Sequence, residues 1–303
     1  MTAAGPPALE NEGARPPGGE RRAAPIGGDA SVAGILRLVA GVYLVLLFAY
    51  LFLPLIYMIA AAFNMSRFPT LTPWRGFTLQ WFADAWNEAR LWHALGRSVL
   101  IGGCVVVVSI VLGLGGALLF TRFRPPARSL LYSLLVSPIL MPGIVIGLST
   151  AIFWDRMLQL PGFWGLAVLG QSTFISAYCM LIFMARLQRF DVELEEAALD
   201  LGASPLQVFW TVTLPYMRPA MYSAAALAFM QSFDNFNTTL FTIGNDQTLT
   251  IYIAAKLKQG VTPAVNALAC AMVATTVIGG MAYELARRRE AARRALRVRA
   301  VDA

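Results

Sequence analysis

Long apolar segments without any charged residue recur along the chain and are separated by short polar stretches. Five of them are Leu38–Ser66, Ser98–Thr121, Ser129–Trp154, Met157–Ala185 and Gln259–Tyr283. A sixth segment, Pro219–Asn245, contains one charged residue, Asp234. Because about 20 apolar residues suffice for a helix to cross the hydrocarbon core of a bilayer, the pattern predicts an all-α integral membrane protein with six transmembrane helices.

Composition agrees with this class, and the charges add an orientation. The 303 residues are 57% hydrophobic and 14% charged, and the mean hydropathy is +0.61; typical soluble domains are about 25% charged. With the N-terminus inside, seventeen of the 24 lysines and arginines lie on the cytoplasmic side of the predicted spans and seven lie outside. Cytoplasmic loops are enriched in these residues, so we predict an N-in/C-in topology.

The chain divides into three predicted regions. Residues 1–34 are rich in Pro, Gly and Ala and have the composition of a disordered cytoplasmic tail. The second region, residues 35–286, is the predicted transmembrane domain. Because residues 1–34 lack the apolar core of a cleavable signal, the first span of this domain is expected to act as an uncleaved anchor. Residues 287–303 form an Arg-rich cytoplasmic tail, which contributes most of the net charge of +7. Beside a span, such a run favours contact with membrane lipid over a nucleic-acid partner.

Residues that commonly carry catalysis or bind metals are sparse. Cys104, Cys179 and Cys270 each lie within an apolar segment and form no C-x-x-C pair, so we expect them to be packing residues. His93 is the single histidine and has no carboxylate nearby in the sequence. We therefore expect no catalytic residue and no metal site.

An amphipathic stretch lies between the fourth and fifth predicted spans. Its apolar residues recur at the i, i+3, i+4, i+7 spacing of a helix; they are Leu194, Ala197, Ala198 and Leu201. Acidic residues occupy the other face; they are Glu193, Glu196 and Asp200. The positive-inside orientation places this stretch, about residues 186–218, in the cytoplasm.

The same stretch contains signals for a turn and a second helix. Gly202 is expected to end the first helix. Ser204 followed by Pro205 predicts a new helix, because serine caps a helix N-terminus and proline suits the first helical turn. Leu214-Pro215 is expected to end this second helix. We therefore predict an elbow of helix, glycine turn and helix that lies outside the bilayer.

The fifth predicted span contains an unusually polar stretch, Gln231–Thr239. A charged side chain inside a bilayer costs about 2.5–3.5 kcal/mol on insertion scales unless it faces a polar cavity. Asp234 is either a structural residue bonded to the backbone or to Asn235, or part of a path for a cationic amine, which aromatic and amide side chains suit. We favour the second interpretation and assign the path to Phe233, Asp234, Asn235 and Asn237.

Two further patterns refine the spans and loops. Pro138 and Pro142 interrupt the third span, and Gly143 and Gly147 form a G-x-x-x-G pattern that allows another helix to approach closely.

The predicted outer loop, residues 67–97, contains four tryptophans, and their spacing predicts a short interfacial helix around residues 81–86. Residues 248–259 are too polar to span and are expected to lie at the outer surface.

The elbow resembles the cytoplasmic EAA loop of binding-protein-dependent ABC importer permeases. Glu196-Ala197-Ala198 is followed by Gly202 at the family's offset, and Val212-Thr213-Leu214-Pro215 closes the motif with Val in place of Ile. The alternative is a surface helical hairpin of an unrelated membrane protein. The resemblance implies a type I ABC importer permease (MetI-like) architecture and an ATPase-coupling role for Glu196, Ala197, Ala198, Gly202, Leu214 and Pro215.

The similarity extends over about residues 35–290 and is strongest to the second permease subunit of spermidine/putrescine-type systems. It is carried by Ser137-Pro138, by Ser232–Phe236 and by Thr262–Ala269. Family members often have a second acid after the aspartate, whereas this chain has Asn235, which leaves the cargo open between a polyamine and another small organic solute.

The resemblance also implies partners in a bacterial cell inner membrane. These are an ABC ATPase subunit dimer, a second permease subunit that forms a heterodimer, and a periplasmic solute-binding protein. The chain lacks the G-x-x-x-x-G-K-[ST] phosphate loop, so ATP and magnesium are expected to be used by the ATPase, with no cofactor on this chain. A secondary transporter working alone would need a coupling-ion site or an internal repeat, and a membrane enzyme would need a catalytic set; the sequence shows neither.

Overall fold

The computed structural model describes residues 30–123, 126–259 and 263–301, and these residues are mostly helical. Within them the only β-type pairing is one isolated bridge between Asn64 and Phe77. The helices are α1 (Ala30–Ala62), α2 (Gln80–Asn87), α3 (Ala89–Arg122), α4 (Arg128–Val136), α5 (Gly143–Leu158), α6 (Trp164–Leu187), α7 (Glu193–Asp200), α8 (Pro205–Val208), α9 (Leu214–Phe233), α10 (Asn237–Thr242), α11 (Leu249–Gln259) and α12 (Pro263–Val301). The predicted all-α membrane fold is confirmed.

Four of these helices are long and apolar enough to cross a membrane, namely α1, α3, α6 and α12. The bent pair α4 and α5 makes a fifth candidate if it counts as one span. The predicted fifth span is divided between α9 and α10 and does not meet the same criterion as a single helix. The count of six spans and the N-in/C-in orientation therefore stay predictions.

The chain divides into two compact units between Ile56 and Tyr57. The first unit, as far as the structure describes it, is the greater part of α1, which is apolar except near its start, where it contains Arg37. The predicted disordered tail lies outside the described residues as far as residue 29, and from Ala30 onward the backbone is helical. At the other end α12 continues as one helix to Val301, so the predicted Arg-rich tail extends the last span without a break.

The core of the second unit is a bundle of α3, α6 and α9. The pair α3 and α6 makes the most extensive helix contact, and both helices also pack against α9. Large buried side chains fill the bundle, among them Phe120, Ile175, Phe183 and Met217. A Cβ added at Gly113 in α3 would lie 2.7 Å from the Cβ of Cys179 in α6. This close approach gives the buried Cys179 the packing position that its apolar sequence context indicates.

The third predicted span is broken at its prolines. A 3-10 turn, Ser137–Leu140, follows α4, and the chain bends by 106° before α5 begins at Gly143. Proline removes a backbone donor and its ring obstructs the preceding turn, so the helix cannot continue through Pro138 and Pro142. Because α5 is thereby turned away from α4, it packs against α10 and α6.

The glycines of α5 permit its close contact with α10. A Cβ added at Gly147 would lie 2.7 Å from the carbonyl oxygen of Thr238 and 2.9 Å from its Cα. The Thr238 hydroxyl donates to the carbonyl oxygen of Gly143 at 3.2 Å. The predicted G-x-x-x-G pattern is therefore a packing surface, and the backbone of α10 is its partner.

The segment between α1 and α3 is ordered around one buried side chain. The Asn64 amide donates to the carbonyl oxygens of Thr70 at 2.9 Å and Pro73 at 3.1 Å, and its Oδ1 accepts from the Arg75 backbone N–H at 2.9 Å. Helix α2 confirms the short helix predicted near residues 81–86. Helix α11 covers most of the polar stretch after α10, and the backbone N–H of Leu249 donates to Ser98 Oγ of α3 at 2.8 Å.

The contact between α5 and α10 predicts which glycine substitution destabilises the protein. Gly147→Ala places a methyl group against backbone atoms of Thr238, which cannot rotate away, and we expect a loss of about 1–3 kcal/mol in unfolding free energy. Gly103→Ala in α3 is the matched control, because nothing lies within 4 Å of its added Cβ; alanine there should be neutral or stabilising by up to about 1 kcal/mol. Thermal unfolding in detergent measures both. Equal midpoints for the two variants would contradict the close contact.

Candidate functional site

The predicted elbow is present as a short helix, a glycine turn and a second helix. Helix α7 ends at Asp200, and Gly202 has a φ of +87°, a backbone conformation that suits glycine. The backbone N–H of Gly202 donates to the Leu199 carbonyl oxygen at 2.8 Å. Ser204 then caps α8 through a capping box, in which it exchanges side-chain and backbone hydrogen bonds with Gln207.

The expected end of the second helix at Leu214-Pro215 is wrong. After α8 the chain passes through a π-helical turn, Phe209–Thr213, directly into α9, which begins at Leu214. The Leu214 N–H donates to the Phe209 carbonyl oxygen, five residues earlier. This wider turn accommodates Pro215, because it relaxes the clash between the proline ring and the carbonyl group four residues before it. The second arm of the elbow is therefore continuous with α9.

Helix α7 turns its apolar side chains toward solvent. None of its residues is buried, and Leu201 just beyond its end is 90% exposed. Large exposed apolar side chains occur on both arms of the elbow; they are Val192, Leu194, Leu199, Leu201, Leu206 and Trp210. An exposed apolar patch on an otherwise polar element is typical of a surface that binds another protein.

The residues assigned to ATPase coupling are spread along the elbow and do not form one cluster. Glu196, Ala197 and Gly202 are exposed, whereas Ala198 is partly buried. Leu214 and Pro215 are partly buried in the first turn of α9.

The sequence reading did not assign a role to Glu195, the acid that holds the elbow to the helical bundle. Its carboxylate lies 2.7 Å from the guanidinium of Arg122 at the end of α3 and accepts the Thr213 hydroxyl. In the sequence, Arg122 contributed only to the count of cytoplasmic positive charges, because its partner lies 73 residues away.

The second candidate site is the break between α9 and α10. Asp234 is the C-cap of α9, and α10 begins at Asn237. The Oδ1 of Asn235 accepts the backbone N–H groups of Thr238 at 3.1 Å and Thr239 at 3.2 Å. Asn235 thus satisfies donors that a helix N-terminus leaves unpaired, which gives this residue a structural role whether or not it also lines a path.

A buried amide joins the two sides of the break. Gln171 of α6 is fully buried. Its Nε2 donates to the Thr239 hydroxyl of α10 at 2.7 Å, and its Oε1 accepts the Ser232 hydroxyl of α9. Both oxygen and nitrogen of this side chain are therefore paired, which removes the penalty of burying them. Sequence inspection missed Gln171 because its role depends on partners more than 60 residues away.

Asp234 faces a cavity of about 330 Å³ that is otherwise mainly apolar. The other lining residues are Phe236, Thr250, Ile253, Ala254 and Leu257. Within residues 30–123, 126–259 and 263–301, no lysine or arginine forms an ion pair with the Asp234 carboxylate. The cavity therefore presents a negative charge beside an aromatic ring.

The other residues assigned to the path are only partly brought together. Phe233 stacks on Phe229 with ring centroids 5.7 Å apart and lines a separate apolar cavity with residues of α2, α3 and α12. The aromatic ring in the Asp234 cavity belongs to Phe236. Asn237 is exposed at the start of α10, beside Gly143.

Two ion pairs tie α3 and its preceding residue to the segments after α10. Arg97 pairs with Asp246 at 2.5 Å, and the exposed His93 ring lies 3.8 Å from the same carboxylate. His93 thus has beside it in space a carboxylate that is distant in the sequence. Lys256 pairs with Glu88 at 2.8 Å. Burial acts to raise the pKa of Glu88, but hydrogen bonds from Lys256 and Tyr252 outweigh it and hold that pKa below its ordinary value.

The elbow and the two broken helices lie within a region of the chain that matches a known family of transport proteins. Residues 105–291, more than half of the chain, match the family described as "Binding-protein-dependent transport system inner membrane component". The chain belongs to this family. The resemblance stated from the EAA motif is thus confirmed, and so is the location in the inner membrane. A chain of this family is a permease subunit of an ABC importer and is not itself the catalytic component.

Curated relatives cover most of the chain. The putrescine transport system permease protein PotI of Escherichia coli K12 is 31% identical over an alignment of 261 residues, and the match covers 82% of this chain and 91% of PotI. The spermidine/putrescine transport system permease protein PotC of the same strain is 30% identical over 250 residues, covering 82% of this chain and 94% of PotC. The Haemophilus influenzae PotC is 32% identical over 233 residues, covering 76% of this chain and 89% of that relative.

Solved structures agree on the fold. A chain of a bacterial ABC transporter involved in the import of the acidic polysaccharide alginate matches with a TM-score of 0.67 at 15% identity, and the match covers 84% of this chain and 98% of that one. The alginate transporter in complex with an alginate pentasaccharide-bound periplasmic protein gives a TM-score of 0.61 at 15% identity, over 85% of this chain and 96% of the other. At this identity the likeness shows a shared permease fold.

Proposed function

We propose that this permease subunit moves a small organic cation of the polyamine type across the inner membrane. In this proposal an extracytoplasmic binding protein delivers the cargo and a partner ATPase drives its import. The observation that carries the choice of cargo is the carboxylate of Asp234 in its cavity at the break between α9 and α10. The names of the relatives, which are putrescine and spermidine/putrescine permeases, support it.

A discontinuous helix suits a solute path. The residues of such a break expose backbone polar groups, which are tolerated in a membrane where they line a cavity or are buried in protein. Here Asn235 accepts two backbone N–H groups at the start of α10, and Gln171 links hydroxyl groups on the two sides of the break. Asp234 is exposed on the cavity side. The carboxylate attracts a cation, and the Phe236 ring adds a face that ammonium groups prefer.

The single carboxylate limits what this chain contributes to cargo recognition. One acid neutralises one positive charge of an amine, and Asn235 supplies no second charge at the next position. A polyamine carries several charges, so groups of the second permease subunit are expected to meet the others. We propose a heterodimer with this second permease for that reason, and because the Asp234 cavity is open on one side.

The elbow is the proposed attachment site of the ATPase dimer. Its exposed leucines and Trp210 form an apolar surface that a partner would cover, and its glycine turn fixes the angle between the two arms. The sequence holds no phosphate loop, so ATP and magnesium are assigned to the ATPase and no cofactor to this chain. In the predicted N-in/C-in orientation the elbow is cytoplasmic and the Trp-rich segment lies outside, where we propose that the binding protein docks.

Neutralising Asp234 tests the cargo. In Asp234→Asn the side chain keeps its shape and hydrogen-bonding capacity, so the complex should assemble normally. Uptake of a polyamine should fall, and it should fall more for spermidine than for a monoamine, because Coulomb attraction in a partly dehydrated path exceeds its value in water several-fold. The measurement is uptake of radiolabelled amines into proteoliposomes at a fixed amount of binding protein.

Asp155→Asn is the matched control for this substitution. It removes the same charge at an exposed position at the end of α5 and should leave uptake unchanged. Equal polyamine uptake by wild type and Asp234→Asn would reduce Asp234 to a structural residue and remove the charge argument for a cation. A gain in uptake of a neutral or acidic solute would assign the permease to another cargo.

The Gly202 backbone tests the elbow. No atom lies within 4 Å of a Cβ added at Gly202, so a substitution there acts through the positive φ and not through a clash. Gly202→Val should strain the turn by about 1–3 kcal/mol and yield complexes that hydrolyse ATP without importing cargo or that lose the ATPase. Gly202→Asn should be tolerated better, because asparagine enters this conformation more readily. Coupled transport by the valine variant at the wild-type rate would argue against the role of the elbow.

A further inference from the structure

One partly buried ion pair joins α7, the first arm of the elbow, to the end of α3. The Glu195 and Arg122 side chains are 18% and 21% exposed, and their charged atoms lie 2.7 Å apart. Helix α7 has no buried side chain of its own. The Glu195–Arg122 pair thus gives α7 a polar and directional attachment to the end of α3.

Glu195 joins three elements at one point. Arg122 is the last residue of α3, Glu195 lies in the first turn of α7, and Thr213 ends the π-helical turn before α9. The Glu195 carboxylate accepts from both the Arg122 guanidinium and the Thr213 hydroxyl. Charge-assisted hydrogen bonds of this kind are about twice as strong as neutral ones.

Aromatic contacts support the same junction. The guanidinium of Arg122 lies 5.2 Å from the centre of the Phe190 ring, and Phe190 meets Tyr216 edge to face at 4.8 Å. The guanidinium of Arg186 lies 4.0 Å from the Tyr216 ring, and its Nη2 donates to the Tyr216 carbonyl oxygen at 3.3 Å. The first turn of α9 is therefore fixed to the end of α6 beside the ion pair.

The junction lies at one end of the helix whose other end is the cargo cavity. Helix α9 runs from Leu214 to Phe233, and Asp234 follows it. Twenty residues at 1.5 Å each make this helix about 30 Å long. A displacement of Thr213 can therefore reach the break along one continuous helix, which contains Pro219. A displacement of Arg122 can reach α6 and α9 through α3, which packs against both.

We propose that the Arg122–Glu195–Thr213 junction transmits movement of the elbow to α3 and α9. Glu195 and Arg122 are positioning residues in this scheme, since they touch neither ATP nor cargo. The proposal rests on the proposed role of the elbow as the attachment site of the ATPase. It adds that the ATPase moves the transmembrane helices through this ion pair, and not only through the covalent connection between α8 and α9.

The test follows the cargo cavity with a probe that does not require the cargo to be known. Leu257 lines the Asp234 cavity and is 47% exposed. A cysteine in its place, with Cys104 and Cys270 changed to alanine, reports the accessibility of the cavity through its rate of reaction with a maleimide. The rate is measured in the assembled complex with and without a non-hydrolysable ATP analogue. In the wild-type background we expect the analogue to change this rate.

Four variants in that background separate transmission from stability. Glu195→Gln and Arg122→Gln should each reduce the effect of the analogue by about fivefold, the lower end of typical coupling between sites. The reversed pair Arg122→Glu with Glu195→Arg keeps the net charge and should restore most of the effect. Glu193→Gln removes the same charge from an exposed position on α7 and should leave the effect unchanged. A junction that only stabilised the fold would change the yield of complex but not the response to the analogue.

Each outcome decides between the junction and the elbow. A full response in both single variants overturns the junction. A reduced response that the reversed pair fails to restore also overturns it, because the charge pairing is then not what matters. The Gly202→Val complex serves as reference for the proposed function: if it responds fully, or if the wild type does not respond, the elbow itself is not the coupling element. A response lost in Gly202→Val but kept in Glu195→Gln contradicts the junction alone.

Discussion

The unpaired backbone groups at the two broken helices are the constraint on which the structure depends. Within a bilayer each such group must find a partner in the protein, since water is absent. At the break between α9 and α10, Asn235 accepts the backbone N–H groups of Thr238 and Thr239. Gln171 joins the Ser232 and Thr239 hydroxyls across the break, and α5 packs against α10 through Gly147. These contacts occupy the buried side of the break. On the exposed side of the same break, Asp234 lines its cavity.

Much of the fold could be predicted from the sequence, because its signals are local. Apolar length predicts the long helices, proline predicts the break after α4, and the positions of Gly202 and Ser204 predict the turn of the elbow. Each signal acts through its own backbone or its immediate neighbours. The break in the fifth span was not predicted in this way: the charge of Asp234 and the amides around it predicted a polar path, and the division into α9 and α10 is seen only in the structure. Family membership then followed from a motif with fixed offsets.

The details that sequence could not supply depend on distant partners. Leu214-Pro215 continues a helix because a π-helical turn accommodates the proline. Phe233 lines an apolar cavity together with residues of α3 and α12, and the aromatic residue in the Asp234 cavity is Phe236. Nothing in the sequence distinguishes Glu195 from the neighbouring acids, because its ion-pair partner Arg122 lies 73 residues away. Contacts between residues so far apart in the sequence cannot be predicted from periodicity or composition.

Helix α7 combines a polar attachment to its own chain, through Glu195, with apolar side chains toward solvent, the reverse of a typical amphipathic helix. This exposed apolar surface continues onto Leu201 and the second arm of the elbow. The central claim is that a partner ATPase covers this surface, and a photoreactive amino acid in place of Leu201, which is 90% exposed, tests it most directly. The same amino acid in place of Phe68, 69% exposed near the predicted outer face, is the control. Irradiation of the purified complex should link position 201, and not position 68, to the ATP-hydrolysing subunit. Absence of that adduct at position 201, or its formation at position 68, would contradict the docking role and the orientation on which it depends.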